Sequence, residues 1–175
     1  MEPYAPIVAD DGSEPFSRSG SKNLGASVSD SDIVMFLDAD TWIPHSQIDE
    51  AFELARQGYM VTPFKQYHYF DSHHSREAFN TGVVDYKNSV ASIDWATGGA
   101  IVMSKEMFFD YGAYDEEFVD WGFEDAALLI VRQRAGIERK NVEGPCVHFW
   151  HPRQYNEQNV SKNEQKFIRE YRDAD

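Results

Sequence analysis

The sequence predicts an α/β fold with a mixed sheet flanked by helices in one compact domain, and three observations carry that prediction. A continuous apolar run, "SDIVMFL" at residues 31–37, has the length and composition of a strand buried on both faces of a sheet. The run "EDAALLIVRQRAG" at 124–136 opens with acids, carries arginines near its end and stops at a glycine, the charge order a helix dipole favours. Around these two, strand-like and helix-like segments alternate, with no internal repeat and no interdomain linker.

Taken in order, "PIVADDGS" (6–13) is expected as a short strand ending in a turn, because Asp-Gly is strong turn chemistry. "SKNLGASV" (21–28) is expected as a short helix. After Pro44, Ile48, Ala51, Phe52 and Ala55 recur at helical spacing, with Ser46 as N-cap, Asp49 three residues on and Gly58 as the stop. "YMVTPF" (59–64) is the next strand, and 65–92 is expected to be irregular and aromatic, with Tyr67, Tyr69, Phe70, Phe79 and Tyr86. An apolar strand at 100–103 leads into a short helix ending at Gly112. "ERKNVEGPCVHFWHP" (138–152) holds a further strand. The domain is expected to span 1–152, followed by a polar tail over 153–175 whose helix carries Phe167, Ile168 and Tyr171.

At 175 residues, 42% hydrophobic and 14% aromatic, the chain is long and apolar enough to bury a real core. A net charge of -14 argues against non-specific binding to nucleic acid or anionic membranes, because few cations are there to displace counterions. The single cysteine, Cys146, rules out an intramolecular disulfide and suits a reducing compartment. The start lacks a basic, then apolar, leader pattern, and the longest apolar run, at 126–131, is too short to span a bilayer. The expectation is a cytoplasmic protein.

Asp38 and Asp40 stand at the end of the apolar run. If the strand continues through them they share a face; if it turns, both still lie at its carboxyl end, where open α/β sheets bind ligands. Two close carboxylates repel, and burying them is costly without a cation. Hard divalent ions such as Mg²⁺ and Mn²⁺ take such oxygens and bridge to phosphate. The bland reading has one aspartate capping the turn before Pro44 and the other solvated. That would suffice for a bare Asp-x-Asp, but the long apolar approach counts against it. "FLDADT" also fits the Asp-x-Asp-x-Thr signature of haloacid-dehalogenase-like phosphatases, with Asp38 as nucleophile and Asp40 as acid/base.

A second acidic cluster places Asp115, Glu116, Glu117, Asp120, Glu124 and Asp125 within eleven positions. Helix capping and a solvated loop explain one carboxylate but not Trp121 and Gly122 beside the pair. A carboxylate fixed at a helix start next to an aromatic platform suits removal of a proton from a bound sugar hydroxyl.

Together, "VADDGS", "SKNLGASVSDSDIVMFLDAD", "TGGAIVMSKEMFFDYGAYDEEFVDWGFEDAAL" and "VHFWH" over residues 6–151 resemble inverting glycosyltransferases of the GT-A (Rossmann-like) fold. The likeness is to family 2 and to galactosyltransferase-like enzymes with a Trp-Gly-x-Glu-Asp motif. "DGSEPFSRSGSKN" resembles small bacteriophage-encoded members, which would place the protein in host cytoplasm.

The resemblance implies a metal-dependent transferase moving a sugar from a nucleotide donor, with UDP-sugar the expected class, to an acceptor hydroxyl with inversion. It implies a metal site at Asp38, Asp40 and His148, with His151 three residues on as the alternative, and Mn²⁺ or Mg²⁺ as the ion. An aspartate plus an imidazole suits Mn²⁺ better than Ca²⁺. Asp10, Asp11, Lys22, Asp38, Gly98, Gly99 and Trp121 are implied to bind the nucleotide sugar. Lys22 replaces a customary arginine, keeping the charge but losing the bidentate fork. Glu124 and Asp125 are implied near the acceptor, with Asp125 as general base and an oxocarbenium-like transition state.

A hydrogen-bonded core histidine is the bland reading of His148 or His151, and His45, His68, His73 and His74 read as surface or acceptor-loop residues. The acceptor is a glycan, a protein or a modified nucleobase, with no membrane partner. The family's opening strand, ahead of the "DDGS" segment, has no counterpart here, so an uncovered sheet edge is expected to favour a homodimer. The non-enzymatic alternative is a truncated domain that binds metal or a partner without turnover.

Overall fold

The computed structural model describes residues 6–94, 96–152 and 156–174. Its elements run α1 (Arg18–Val28), β1 (Ile33–Leu37), β2 (Thr41–Trp42), α2 (His45–Arg56), β3 (Met60–Thr62), β4 (Gln66–Tyr69), α3 (Ser72–Thr81), β5 (Ala91–Ile93), β6 (Ala100–Ser104), α4 (Lys105–Asp110), α5 (Glu124–Arg134), β7 (Arg139–Asn141), β8 (Pro145–His148) and α6 (Glu157–Phe167). The last helix continues as one π-turn over Ile168–Arg172. The strands form two mixed sheets, ordered β1-β6-β3-β7 and β2-β8-β4-β5. No helix among the described residues is long and apolar enough to cross a membrane.

The chain divides into two compact units, one of Met1–Val34, Lys105–Gly136 and Gln154–Asp175, the other of Met35–Ser104 and Ile137–Arg153. In the second, β3 runs antiparallel to β6 and parallel to β7, while β8 runs antiparallel to β2 and parallel to β4. Its apolar centre gathers Ile43, Phe64, Tyr67, Ala100 and Cys146, with Met35, Ile48 and Tyr69 packed against them. A smaller cluster of Phe70, Ala78 and Val147 anchors α3. Gln47 is buried in this unit and its Nε2 donates to the carbonyls of Pro63 (2.8 Å) and Pro145 (3.1 Å), tying α2 to the ends of two loops.

The first unit contains α1, α4, α5 and α6. Arg132 is its least ordinary core residue, with 0% exposure. Its guanidinium donates to the carbonyls of Phe108 (2.9 Å), Ala113 (3.4 Å) and Leu128 (3.5 Å). It thereby ties the last turn of α4, where carbonyls lack intrahelical partners, to the loop that follows and to α5. Burial pushes its pKa down to about 10, so the cation persists at neutral pH.

Four local expectations change. Residues 6–13 join no sheet: Asp10 Oδ1 accepts from Gly12 N (2.9 Å), and Asp11 Oδ1 accepts from Ser13 N (3.1 Å) and Oγ (2.8 Å). These aspartate turns satisfy the backbone where a ladder would have done so. Strand β1 alternates, with Val34 and Phe36 buried, Ile33 and Met35 partly buried and Leu37 47% exposed, so it is not fully buried on both faces. Helix α2 starts at His45, two residues ahead of the start that Ser46 as N-cap implies, and has no side-chain cap, so Ser46 does not cap it. The stretch 65–92 is not irregular: it holds β4, α3 and β5. Helix α3 was hidden by its polar face, although Asp71 caps it through His74 N (2.9 Å) and Gly82 closes it at φ +69°.

Gly144 sits at φ +128°, and a Cβ there would lie 2.3 Å from Gln47 Oε1. Gly144→Ala is therefore expected to lower stability in urea unfolding by about 2–3 kcal/mol, through strain and displacement of Gln47. Gln47→Ala, which keeps the backbone but loses both bonds to carbonyls, is expected to cost about 1–3 kcal/mol.

Candidate functional site

Sheet register assembles the first cluster. Strand β1 ends at Leu37, Asp38 N donates to Gly99 O (2.9 Å), and the chain turns through residues 39–40. Thr41 closes the turn, its N (3.1 Å) and Oγ1 (2.7 Å) both donating to Asp38 O. Strand β2 then pairs with β8 at Thr41↔His148, and Phe149 N donates to Asp40 O (2.8 Å). Asp40 is thus held beside the end of β8. Its Oδ2 lies 2.9 Å from His151 Nε2 and 3.5 Å from His148 Nε2. One ligand atom from each of the three residues lies within 4.8 Å of the others.

That geometry fits a cation. Ligand atoms bonded at about 2.1 Å and at right angles stand about 3 Å apart. Asp40 Oδ1 is also buried without a hydrogen-bond partner, a costly state for a carboxylate oxygen unless a cation meets it. Burial lowers the His148 pKa against the pull of Asp40, which favours the neutral imidazole that ligates metals. The His148 ring is fixed by Tyr69 at 5.6 Å and Tyr67 at 6.0 Å between centroids. Burial, with the charges of Asp38 and Asp40, pushes the Tyr67 phenol and Cys146 thiol upward, so both stay neutral. Cys146 is therefore an inert core thiol.

Asp38 contributes no atom to this three-residue cluster; its backbone pins the turn. Gly99 explains itself locally: it sits at φ +93°, and a Cβ would lie 2.6 Å from Tyr67 Cε2. Gly98 is half-buried beside it. His68, read from sequence as a loop residue, is buried on β4 with Nδ1 3.0 Å from Ser89 Oγ.

The second cluster lies in the other unit, at the start of α5. Phe123 precedes the helix at φ +74° and offers no side-chain cap. Glu124 Oε2 accepts from Gly122 N (3.1 Å), and its Oε1 pairs with Arg18 Nε (3.0 Å). Asp125 Oδ1 accepts from Lys22 Nζ (3.1 Å) and Tyr114 Oη (2.9 Å). Burial raises the Glu124 pKa, the charge of Asp125 adds to this, and Lys22 and Arg18 oppose it. Both carboxylates are buried, whereas Trp121 is 48% exposed.

Lys22, expected at the phosphates, is thus held on Asp125 and over the Tyr114 ring at 4.7 Å. Asp11 lies over the first turn of α1, where a Cβ on Gly20 would come 1.9 Å from its Oδ2. Sequence reasoning missed Arg18 and Tyr114. Arg18 was legible as the basic residue four before Lys22 on one helix face. Tyr114 had no local signal, because its bond to Asp125 depends on the path of the chain after α4.

A family model described as "Glycosyltransferase like family 2" matches residues 7–171. The matched range contains both clusters, and the mixed sheets with their helices are consistent with a GT-A-like domain. No curated protein matches the chain.

The ties on Asp125 set a stability expectation. Side chains of Lys22 and Asp125 are 15% and 12% exposed, so Lys22→Met strands a largely buried carboxylate. It should cost about 3 kcal/mol in urea unfolding. Tyr114→Phe, which removes one hydrogen bond from the same oxygen, should cost about 1 kcal/mol.

Proposed function

The chain belongs to the glycosyltransferase family 2-like group, and from that premise we propose a metal-dependent, inverting sugar transfer from a nucleoside-diphosphate sugar, with UDP-sugar the donor class. The observation that carries the proposal is the buried, unpartnered Asp40 Oδ1 in a cluster with two imidazoles. Asp40, His148 and His151 would hold the ion, and their mixed oxygen and nitrogen donors suit Mn²⁺ better than Mg²⁺. When bound, a divalent cation neutralises the charge a departing diphosphate gains. Asp10, Asp11, Gly98, Gly99 and Trp121 are proposed to contact the donor, and Asp38 to stand at its phosphates.

Asp125 is proposed as the general base that takes the proton from the acceptor hydroxyl. Lys22 and Tyr114 hold one of its oxygens, which fixes the carboxylate's orientation. Glu124, tied to Arg18 and to Gly122 N, shapes the turn that precedes the base. One base and direct displacement at the anomeric carbon give inversion.

Two outcomes test this. Thermal unfolding should show a UDP-dependent rise that requires Mn²⁺, amounting to about 2.7 kcal/mol at 100 times the dissociation constant. Asp40→Asn should abolish it. Asp125→Asn should keep that rise but slow transfer by about 10²–10⁴. Mg²⁺-dependent phosphate release lost in Asp38→Asn and retained in Asp125→Asn would instead favour phosphatase chemistry.

A further inference from the structure

We propose that Asn163, on α6, is a positioning residue that clamps the backbone of residues 119–123 and so sets the turn leading into Glu124 and Asp125. The clamp stands on geometry alone; its effect on turnover rests on the reading of Asp125 as the base.

The segment needs a clamp. Asp120 lies at φ +68° and Phe123 at φ +74°, two non-glycine residues in the left-handed region within four positions, with Gly122 between them at φ +106°. Such backbone persists only where surrounding groups over-determine it.

Helix α6 supplies those groups. Asn163 is 4% exposed, although most of its helix is polar and solvated. Its Nδ2 donates to Val119 O (2.9 Å) and Trp121 O (3.2 Å), and its Oδ1 accepts from Val119 N (3.4 Å). One amide thus grips the chain on both sides of Asp120. A side-chain amide offers donors and an acceptor together, which a carboxylate or hydrocarbon of that size does not. The same helix holds the segment at two more points. Asn156 N donates to Asp120 Oδ2 (2.7 Å), and the rings of Phe167 and Phe123 stand 5.4 Å apart. Asp120 N is tied separately to Phe16 O (3.2 Å). From the clamped segment the next link is direct, since Gly122 N donates to Glu124 Oε2.

A structural prop of α6 would behave differently from a positioning clamp. Lys166 on the same helix pairs with Asp115, Glu117 and Glu170 and touches none of residues 119–123 through those bonds, so Lys166→Met serves as the control. The test is amide hydrogen exchange on the full chain for wild type, Asn163→Ala, the near-isosteric Asn163→Asp and Lys166→Met. UDP release from UDP-glucose with Mn²⁺ and UDP affinity are measured alongside, with water as acceptor.

Both Asn163 variants should exchange at least tenfold faster at residues 119–125. Exchange over 128–132 should stay within twofold, and the control should leave 119–125 unchanged. UDP release should fall at least tenfold in the Asn163 variants while UDP affinity stays within twofold. Unchanged exchange at 119–125, or equal loosening throughout the protein, would overturn the clamp. Local loosening with unchanged UDP release would overturn its role in turnover. A wild-type protein that releases no UDP would count against the transfer reading, and the exchange data would still decide the clamp.

Discussion

Asp40 holds one carboxylate oxygen 2.9 Å from the His151 imidazole and 3.5 Å from that of His148, and buries the other without a hydrogen-bond partner. Taking a carboxylate oxygen out of water without a partner is costly, and a cation at that oxygen would offset the cost. The elements around it are arranged to keep it there. The turn at Asp38, the short β2 ladder and the bond from Phe149 to the Asp40 carbonyl fix the residue between strands. Tyr67 and Tyr69 fix His148, and Gly99 lacks a side chain because Tyr67 fills that space.

The acidic pair on α5 follows the opposite logic. Its charges are compensated within the chain, by Arg18 and Lys22 one turn apart on α1, with Tyr114 adding a hydrogen bond. Such a pair needs no metal, and it keeps an oriented carboxylate next to an exposed tryptophan. The two clusters therefore differ in kind: one leaves a buried carboxylate oxygen without a partner, the other is internally neutralised. Sugar transfer from a diphosphate donor calls for both chemistries, a cation for the leaving group and a base for the acceptor.

Much of this was legible in the sequence because it is local. Strands β1, β3 and β6, helix α5 and the residues Asp40, His148 and Asp125 announce themselves through apolar runs, end charges and short motifs. What was hidden is what depends on pairing. Strand β4 is four residues long and polar at alternate positions, and edge strand β5 is three exposed residues, too short for a pattern to stand out, so their partners define them. The 6–13 segment reads as a strand by composition, yet its aspartates satisfy the backbone locally. Tyr114 and Asn163 were invisible for the same reason: each acts through a contact set by the path of the chain. Asn163 sits among the polar residues of its helix, and only burial singles it out from them.

The most direct measurement is Mn²⁺ binding followed by electron paramagnetic resonance, with no nucleotide present, for wild type and for His148→Ala, His151→Ala and Asp40→Asn. The account predicts one bound ion in the wild type, affinity lowered at least tenfold by either histidine change, and binding lost in Asp40→Asn. Undiminished Mn²⁺ affinity in Asp40→Asn, in protein that remains folded, would contradict it, because the Asp40 carboxylate would then not be the group that holds the cation.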